Sequence, residues 1–298
     1  MASNDFVSPL WAEIRAQYGE AFDAALVRNV TDALAEDVGT GDQTGRLVPA
    51  DARRTARITV REEAVLCGVP WFEEVMRRVD PSIAVTWQYR EGDRMAANTP
   101  VVLLDGPARS LLTAERNGLN FLQLLSGVAT ATRRFVDAIE GTRARILDTR
   151  KTLPGLRLAQ KYAVRIGGGS NHRIGLFDAV LIKENHIATA GSISAAVARA
   201  RALHPGVLVE TEVENFSELR EAIAAGADRI MLDEFELHEL AQAVAEVDGR
   251  VPLEVSGSVG IDRVRAIAET GVDYVSIGAL TKHVRAIDLS MRIELLPD

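Results

Sequence analysis

Beyond about residue 145, short β-branched runs alternate with amphipathic helical stretches, the pattern of successive βα units on a parallel sheet. The runs are Arg145–Leu147, Ala179–Ile182, Val207–Val209, Arg229–Leu232, Pro252–Val255 and Tyr274–Ile277. Between them, apolar spacing predicts helices over Ser192–Leu203, Ser217–Ala225, Leu237–Val247 and Asp262–Thr270. Ser217 and Asp262 are expected N-caps, because a side-chain oxygen there can accept a free N–H of the first turn, and Gly226 and Gly271 are expected to end helices. The last three units recur at close to one spacing. That regularity fits a barrel of repeated units better than an open, doubly wound sheet.

Residues 1–110 have a different pattern. Helical spacing over Pro9–Tyr18 and Ala21–Glu36 leads through the loop Glu36–Asp42 into β-rich segments at Ala56–Val60, Ala84–Tyr89 and Pro100–Leu104, which predicts a separate α+β domain. A long helix from Thr113 to about Ile139 carries Leu119, Leu122, Leu125 and Val128 on one face and is expected to bridge the two parts. A tail, Ala286–Leu295, has helical periodicity and is expected to pack back on the first domain.

Composition narrows the function. With 298 residues, 47% of them hydrophobic, the chain can fill one large core or two ordinary ones. Charges interrupt every apolar run before it reaches the roughly 18 residues of a membrane span, and the first residues have no basic leader, so a cytoplasmic protein is expected. Cys67 is the only cysteine, which excludes an internal disulfide and a multi-cysteine zinc site; among Val65, Leu66 and Val69 it reads as core filler. A net charge of −8 argues against nucleic acid or an anionic membrane as partner. Against that acidic background, Arg143, Arg145, Arg150, Lys151, Arg157, Lys161, Arg165, His172 and Arg173 form a basic island with only Asp148 opposing them. Such an island suits a small polyanion, or is a solvated face.

In a βα barrel the loops after the strands converge on the active site, so the residues directly after each run carry the most weight. They are Asp148-Thr149-Arg150-Lys151, Lys183-Glu184-Asn185, Glu210-Thr211-Glu212, Asp233-Glu234, Ser256-Gly257-Ser258 and Gly278-Ala279. Arg150, Lys151, His172, Arg173 and Lys183 form a cationic set for carboxylates and phosphates. Glu212 and Asp233 can accept from sugar hydroxyls or hold magnesium through water. The last two turns can offer backbone N–H groups to a phosphate. Singly, each has an ordinary explanation as a strand end, a turn or a structural histidine, and Gly167-Gly168-Gly169 is either a flexible loop or a flap over a substrate. Jointly they describe a ligand with a phosphate end, a sugar middle and a further anionic group.

These same segments resemble a known family. Asp148-Thr149-Arg150-Lys151-Thr152-Leu153-Pro154-Gly155-Leu156-Arg157, Gly167–Arg173, Leu181–His186, Glu210–Glu214 and Ser276-Ile277-Gly278-Ala279-Leu280-Thr281 are similar to segments of quinolinate phosphoribosyltransferases. The likeness extends through Leu34–Asp42 and Ala114–Asn120 and so covers nearly the whole chain. It implies an α/β chain with an N-terminal α/β sandwich domain (1–125, with tail 282–298 packed on it) and an incomplete TIM-like α/β barrel (126–281) carrying the active site. It also implies a homodimer and a magnesium-dependent pentosyltransferase activity. Quinolinate and phosphoribosyl pyrophosphate would give nicotinate mononucleotide, carbon dioxide and pyrophosphate, on the route to NAD.

Carried over by position, Arg150, His172 and Arg173 would hold the quinolinate carboxylates with help from Thr149, Lys151 and Lys183, and Arg116 would reach in from the neighbouring subunit. Glu212 and Asp233 match the acidic pair near ribose and magnesium, with no protein group a direct metal ligand. Ser256, Gly257, Ser258, Ile277, Gly278 and Ala279 match the phosphate-binding turns. Ser258 departs from the family's usual Gly or Asn, and Lys282-His283 from its small residues. Catalytic roles fall to Lys151, Glu212 and Asp233, while His172 is expected to bind a carboxylate rather than shuttle a proton. The rivals are a related phosphoribosyltransferase for another base, and a non-catalytic phosphosugar-binding protein, which the acidic pair disfavours.

Overall fold

The computed structural model describes residues 6–294. It divides into two compact units: the chain up to Arg133 with Leu153–Gly168 and the chain from Thr281 on, and Arg134–Thr152 with Gly169–Leu280. The first unit thus takes in Leu153–Gly168, a stretch that the boundary expected at 125/126 leaves in the barrel. The outer ends of the expected domain and tail, residues 1–5 and 295–298, lie outside the described residues.

In the first unit, helices Leu10–Tyr18 and Glu20–Val38 meet at Gly19, whose φ of 58° makes the break. Strands β1 (Arg53–Val60), β2 (Ala64–Val65), β3 (Ala84–Trp87), β4 (Arg94–Met95) and β5 (Pro100–Pro107) come next. Along β1, Ala56, Ile58 and Val60 are buried and their neighbours less so, which is the period-two signature of a sheet with one covered face. β1 pairs antiparallel with β5 and, on its other side, with the strand Leu289–Ile293; β3 pairs with β5. The described part of the tail therefore holds a strand, Leu289–Ile293, and not the expected helix. Ile287, Leu289, Met291 and Ile293 also alternate at period two, and pairing with β1 selects that period over the helical one.

Two helices of this unit were not anticipated. Val69–Val79 starts at Gly68 and buries Trp71 and Phe72, while Arg157–Ile166 buries Tyr162 and, inside the basic island, Lys161. The rings of Trp11, Phe22, Trp71 and Tyr162 pack with centroids 4.8–6.0 Å apart. Gly167 ends the second helix, and a Cβ there would stand 2.6 Å from Ala129 O and Thr132 Cβ, so the glycine serves a close approach and not a flap. Cys67 is buried, as its neighbours suggested. Helix Ala108–Ala138 is the long one expected, five residues longer at its start.

The second unit holds β6 (Arg145–Leu147), β7 (Val180–Ile182), β8 (Val209–Val213), β9 (Arg229–Leu232), β10 (Leu253–Val255) and β11 (Tyr274–Ser276). All pair in parallel, in the order β6-β11-β10-β9-β8-β7. From β7 to β11 each strand lies beside its successor, with no reversal of order, and β6 adds beyond β11. That is the winding of a barrel left unjoined between β6 and β7, and the expected mixed α/β class with an incomplete barrel holds.

Some details differ from expectation. β8 begins two residues later than its apolar run, so that Glu210, Thr211 and Glu212 lie within the strand. The helix after it is Phe216–Ala225, capped by Asn215, whose side chain accepts from Glu218 N, and not by Ser217. Helix Ile261–Glu269 starts from Gly260 without a side-chain cap, so Asp262 is inside it.

Candidate active site

The site is built at the C-terminal ends of the second unit's strands. β6 is followed by Asp148, fully buried, whose carboxylate accepts from Asn171 Nδ2 at 2.6 Å and from His172 N at 2.9 Å. Asp148 is thus a clamp that fixes the 170–172 turn, aided by the hydrogen bonds Ser170 N to Ile146 O and Asp148 N to Ser170 O. Directly after it, Thr149 Oγ1 accepts from Lys151 N at 3.0 Å and shapes the turn that presents Arg150 and Lys151.

Arg150, Lys151, His172, Arg173 and Lys183 all line one cavity of about 320 Å³, with Thr149, Leu181, Met231, Glu254, Ser256 and Ser276 completing its wall. The five predicted cations are therefore together. Burial, and then the neighbouring Arg150 guanidinium, pull the Arg173 pKa down. A guanidinium whose charge is disfavoured in a half-buried wall is poised for an anion that relieves it.

The rest of the basic island is not part of this wall. Arg143 pairs with Asp273 at 2.9 Å, Arg165 pairs with Glu13 at 3.4 Å, and Lys161 is core.

His172 is held by protein groups on both ring nitrogens. Its Nδ1 accepts the Arg173 backbone N–H at 2.8 Å, and its Nε2 stands 2.8 Å from Glu210 Oε2. Both ring nitrogens face protein groups, and the other cationic side chains of the wall are arginines and lysines.

The acidic pair lies on adjacent strands. Glu212, half-buried on β8, takes a short ion pair from Lys183, and Asp233 comes directly after β9, with its N–H donated to Val213 O at 3.0 Å. Burial raises the Asp233 pKa, and the charges of Glu212 and Glu234 add to the rise, opposed by Lys183 and Lys151. Glu234, just beyond, has φ 58°, an uncommon conformation for a side chain other than Gly.

A second cavity, of about 210 Å³, shares Ser256 with the first and is lined by Gly257, Ser258, Glu234 and Arg263. Gly257 has φ 135°, which only glycine adopts readily, so the turn needs it. Arg263 was missed by sequence reasoning; it sits in the helix after the turn, and nothing in its local pattern marks it. Of the second expected phosphate turn, Ile277 is buried with its N–H given to Leu147 O, so it acts as scaffold. Gly278 leaves space that Lys151 uses: a Cβ there would lie 2.9 Å from Lys151 Cδ. Ala279 begins the short helix Ala279–Lys282. Arg116 is exposed on helix Ala108–Ala138 in the first unit.

Family models match both parts of the chain: quinolinate phosphoribosyl transferase, N-terminal domain, over residues 42–126, and C-terminal domain over residues 128–292. The chain belongs to the quinolinate phosphoribosyl transferase family. It is 42% identical over 277 residues to the nicotinate-nucleotide pyrophosphorylase [carboxylating] of Mycobacterium leprae, covering 91% of this chain and 97% of that one. It is 40% identical over 283 residues to quinolinate phosphoribosyltransferase [decarboxylating] 1b of Nicotiana tabacum, covering 88% of this chain and 80% of that one. The solved structure of the nicotinate-nucleotide pyrophosphorylase from Francisella tularensis superposes with a TM-score of 0.89 at 50% identity, over 91% of this chain and 96% of that one. This family member is an enzyme, a pentosyltransferase. Among the described residues no helix is long and apolar enough to cross a membrane.

Proposed function

We propose that the enzyme transfers the phosphoribosyl group of phosphoribosyl pyrophosphate to quinolinate, releasing pyrophosphate and carbon dioxide and giving nicotinate mononucleotide for NAD synthesis. The observation that carries this reading is the cavity wall in which Arg150 and Arg173, with Lys151 and Lys183, surround a volume suited to a pyridine dicarboxylate. The carboxylates pair with the guanidiniums, and the ring nitrogen is directed at the ribose carbon. As the C–N bond forms, the C–O bond to pyrophosphate breaks, and the electron pair leaves with the phosphate oxygen. Catalysis is by positioning and by charge, because a pyridine nitrogen has no proton to remove.

Glu212 and Asp233 accept from the ribose hydroxyls and stabilise positive charge on the sugar, while Lys151 neutralises the departing pyrophosphate. The pyridinium so formed stabilises the electron pair of the bond to the leaving carboxylate, which departs as carbon dioxide, and the ring carbon then takes a proton from water. Ser256, Gly257 and Ser258 take the 5′-phosphate, to which Arg263 adds a charge.

The donor set fits magnesium: the Glu212 charge raises the cost of ionising Asp233, and a cation held near the two carboxylates would relieve it. When bound, the ion supplies neutralising charge to the pyrophosphate. The enzyme works as a cytoplasmic homodimer in which Arg116 of one protomer completes the other's quinolinate site.

The test is direct. Purified enzyme with magnesium, phosphoribosyl pyrophosphate and quinolinate yields nicotinate mononucleotide and pyrophosphate, and nicotinate in a parallel tube yields none. Product from nicotinate, or none from either, overturns the choice of substrate.

A further inference from the structure

Beneath the cation wall lies a set of buried charges that the transfer reaction does not use. Glu210 on β8 and Glu254 on β10 flank β9, and both are fully buried. Arg229, which opens β9, reaches Glu254 Oε2 with Nη1 at 3.1 Å and stacks over the Tyr274 ring at 4.4 Å from its centroid. His172 Nε2 is 2.8 Å from Glu210 Oε2 and 3.6 Å from Glu254 Oε1. Because Nδ1 accepts the Arg173 N–H, the imidazole is the neutral tautomer with its hydrogen on Nε2.

Among the described residues this is the one cluster with metal-ligand spacing, with one donor atom each from His172, Glu210 and Glu254 within 4.8 Å of the others. The tautomer argues against a metal, since the nitrogen facing the carboxylates carries a hydrogen, and the Arg229 cation already occupies one Glu254 oxygen. The cluster instead lacks a proton. Within the cluster, two carboxylates, one guanidinium and a neutral imidazole sum to one negative charge in a buried place, which is costly and only partly offset by Arg173 in the wall. In addition, Glu210 Oε1 and Glu254 Oε1 are buried and take no hydrogen bond, His172 Nε2 being 3.6 Å from the latter. One proton carried on Glu254 removes both problems together.

We propose that Glu254 is a positioning residue of this site: it shares one proton with Glu210, and the pair, anchored by Arg229, holds His172 and keeps the floor of the anion cavity neutral. Loss of that proton places a negative charge directly under the cation wall and weakens capture of a dianion. Burial, and then the charge of Glu210, raise Glu254 to about 7, so the loss falls within the working range. The charged groups facing the pair are Arg229 from β9, Arg173 from the turn before β7, Glu212 from β8, and across the cavity Arg150, Lys151 and Lys183.

The inference rests on quinolinate as the ligand only for its affinity readout, so two measurements are paired. Infrared difference spectra of ligand-free enzyme against Glu254→Gln show a protonated carboxyl band at pH 6 that fades through pH 7. A wild-type enzyme without that band overturns the proposal whether or not quinolinate binds. Calorimetric binding of quinolinate alone, between pH 6 and 8.5, gives an affinity that falls roughly tenfold in the wild type, the scale of one added charge across the cavity. Glu254→Gln, a permanent neutral donor, keeps the low-pH affinity throughout, and Glu254→Ala binds weakly at every pH. A Gln variant that tracks the wild-type pH curve overturns the assignment, and so does one as weak as Ala. A stoichiometric divalent ion that survives chelation of the purified protein overturns it as well.

Discussion

Arg150 and Arg173 share a cavity wall, and under the proposed function each pairs with a substrate carboxylate, so removing either should leave that carboxylate without its partner in a desolvated place. Arg150→Ala is expected to weaken quinolinate binding by about 2–5 kcal/mol, measured by calorimetry. Lys151→Ala is expected to lower kcat more than it raises the KM for quinolinate, and full turnover would remove Lys151 from the leaving-group role. Gly278 gives a subtler test. The atom a Cβ would meet is Lys151 Cδ, part of a flexible side chain, so Gly278→Ala displaces the lysine and leaves the fold nearly intact. Activity should fall up to ~100-fold, as for a group misplaced by about 1 Å, with little change in Tm.

Glu91 provides a pH test away from the site. It is buried, accepts from Gly68 N, Val69 N and the Tyr162 hydroxyl, and burial raises it from 4.5 to about 7. The folded state binds this proton more tightly than the unfolded chain. Its stabilising effect is therefore whole below about pH 4.5 and is lost as pH rises to about 7. Glu91→Gln should flatten this part of the Tm–pH curve, and an unchanged slope would assign the proton elsewhere.

Among the elements, the cap of helix Phe216–Ala225 separates what a sequence can say from what it cannot. Asn215 and Ser217 are both good capping residues, and only the strand's true end at Val213 decides between them. Asn215→Ala should cost about 1 kcal/mol in urea unfolding, whereas Ser217→Ala should stay within about 0.5 kcal/mol.

The late start of β8 has the same origin. Glu210-Thr211-Glu212 looks like the polar end of a strand, but in a half-barrel a strand can carry charges inward, where Arg229 and His172 answer them. Local pattern showed most barrel strands to within a residue or two, and it brought Arg150, Lys151, His172, Arg173 and Lys183 to one candidate site. It could not show that His172 turns its nitrogens to Glu210 and Arg173, or that Glu254 lies beside it, because those contacts join positions up to 82 residues apart. Nor could it choose a strand for the tail, where two periodicities coexisted and a partner strand decided.

At the scale of the whole molecule, Arg116 is the residue that local pattern left silent: an exposed arginine on a helix, to which family likeness alone lends a role. Arg116→Ala and Arg150→Ala should each be poorly active as pure dimers. A mixture that exchanges subunits should regain activity, because one site of each mixed dimer is then intact; no recovery would mean that the sites are not shared.

The first unit closes only when its sheet receives Leu289–Ile293, nearly the last residues described, whereas everything in the second unit has been made by Leu280. During synthesis the half-barrel can therefore form while the earlier-made sheet still waits on the ribosome with an open edge at β1. Chains released early, after Lys282, keep their catalytic wall in sequence but leave that edge unpaired, a template for joining other chains. Premature termination should thus appear in cells as aggregation before it appears as lost chemistry.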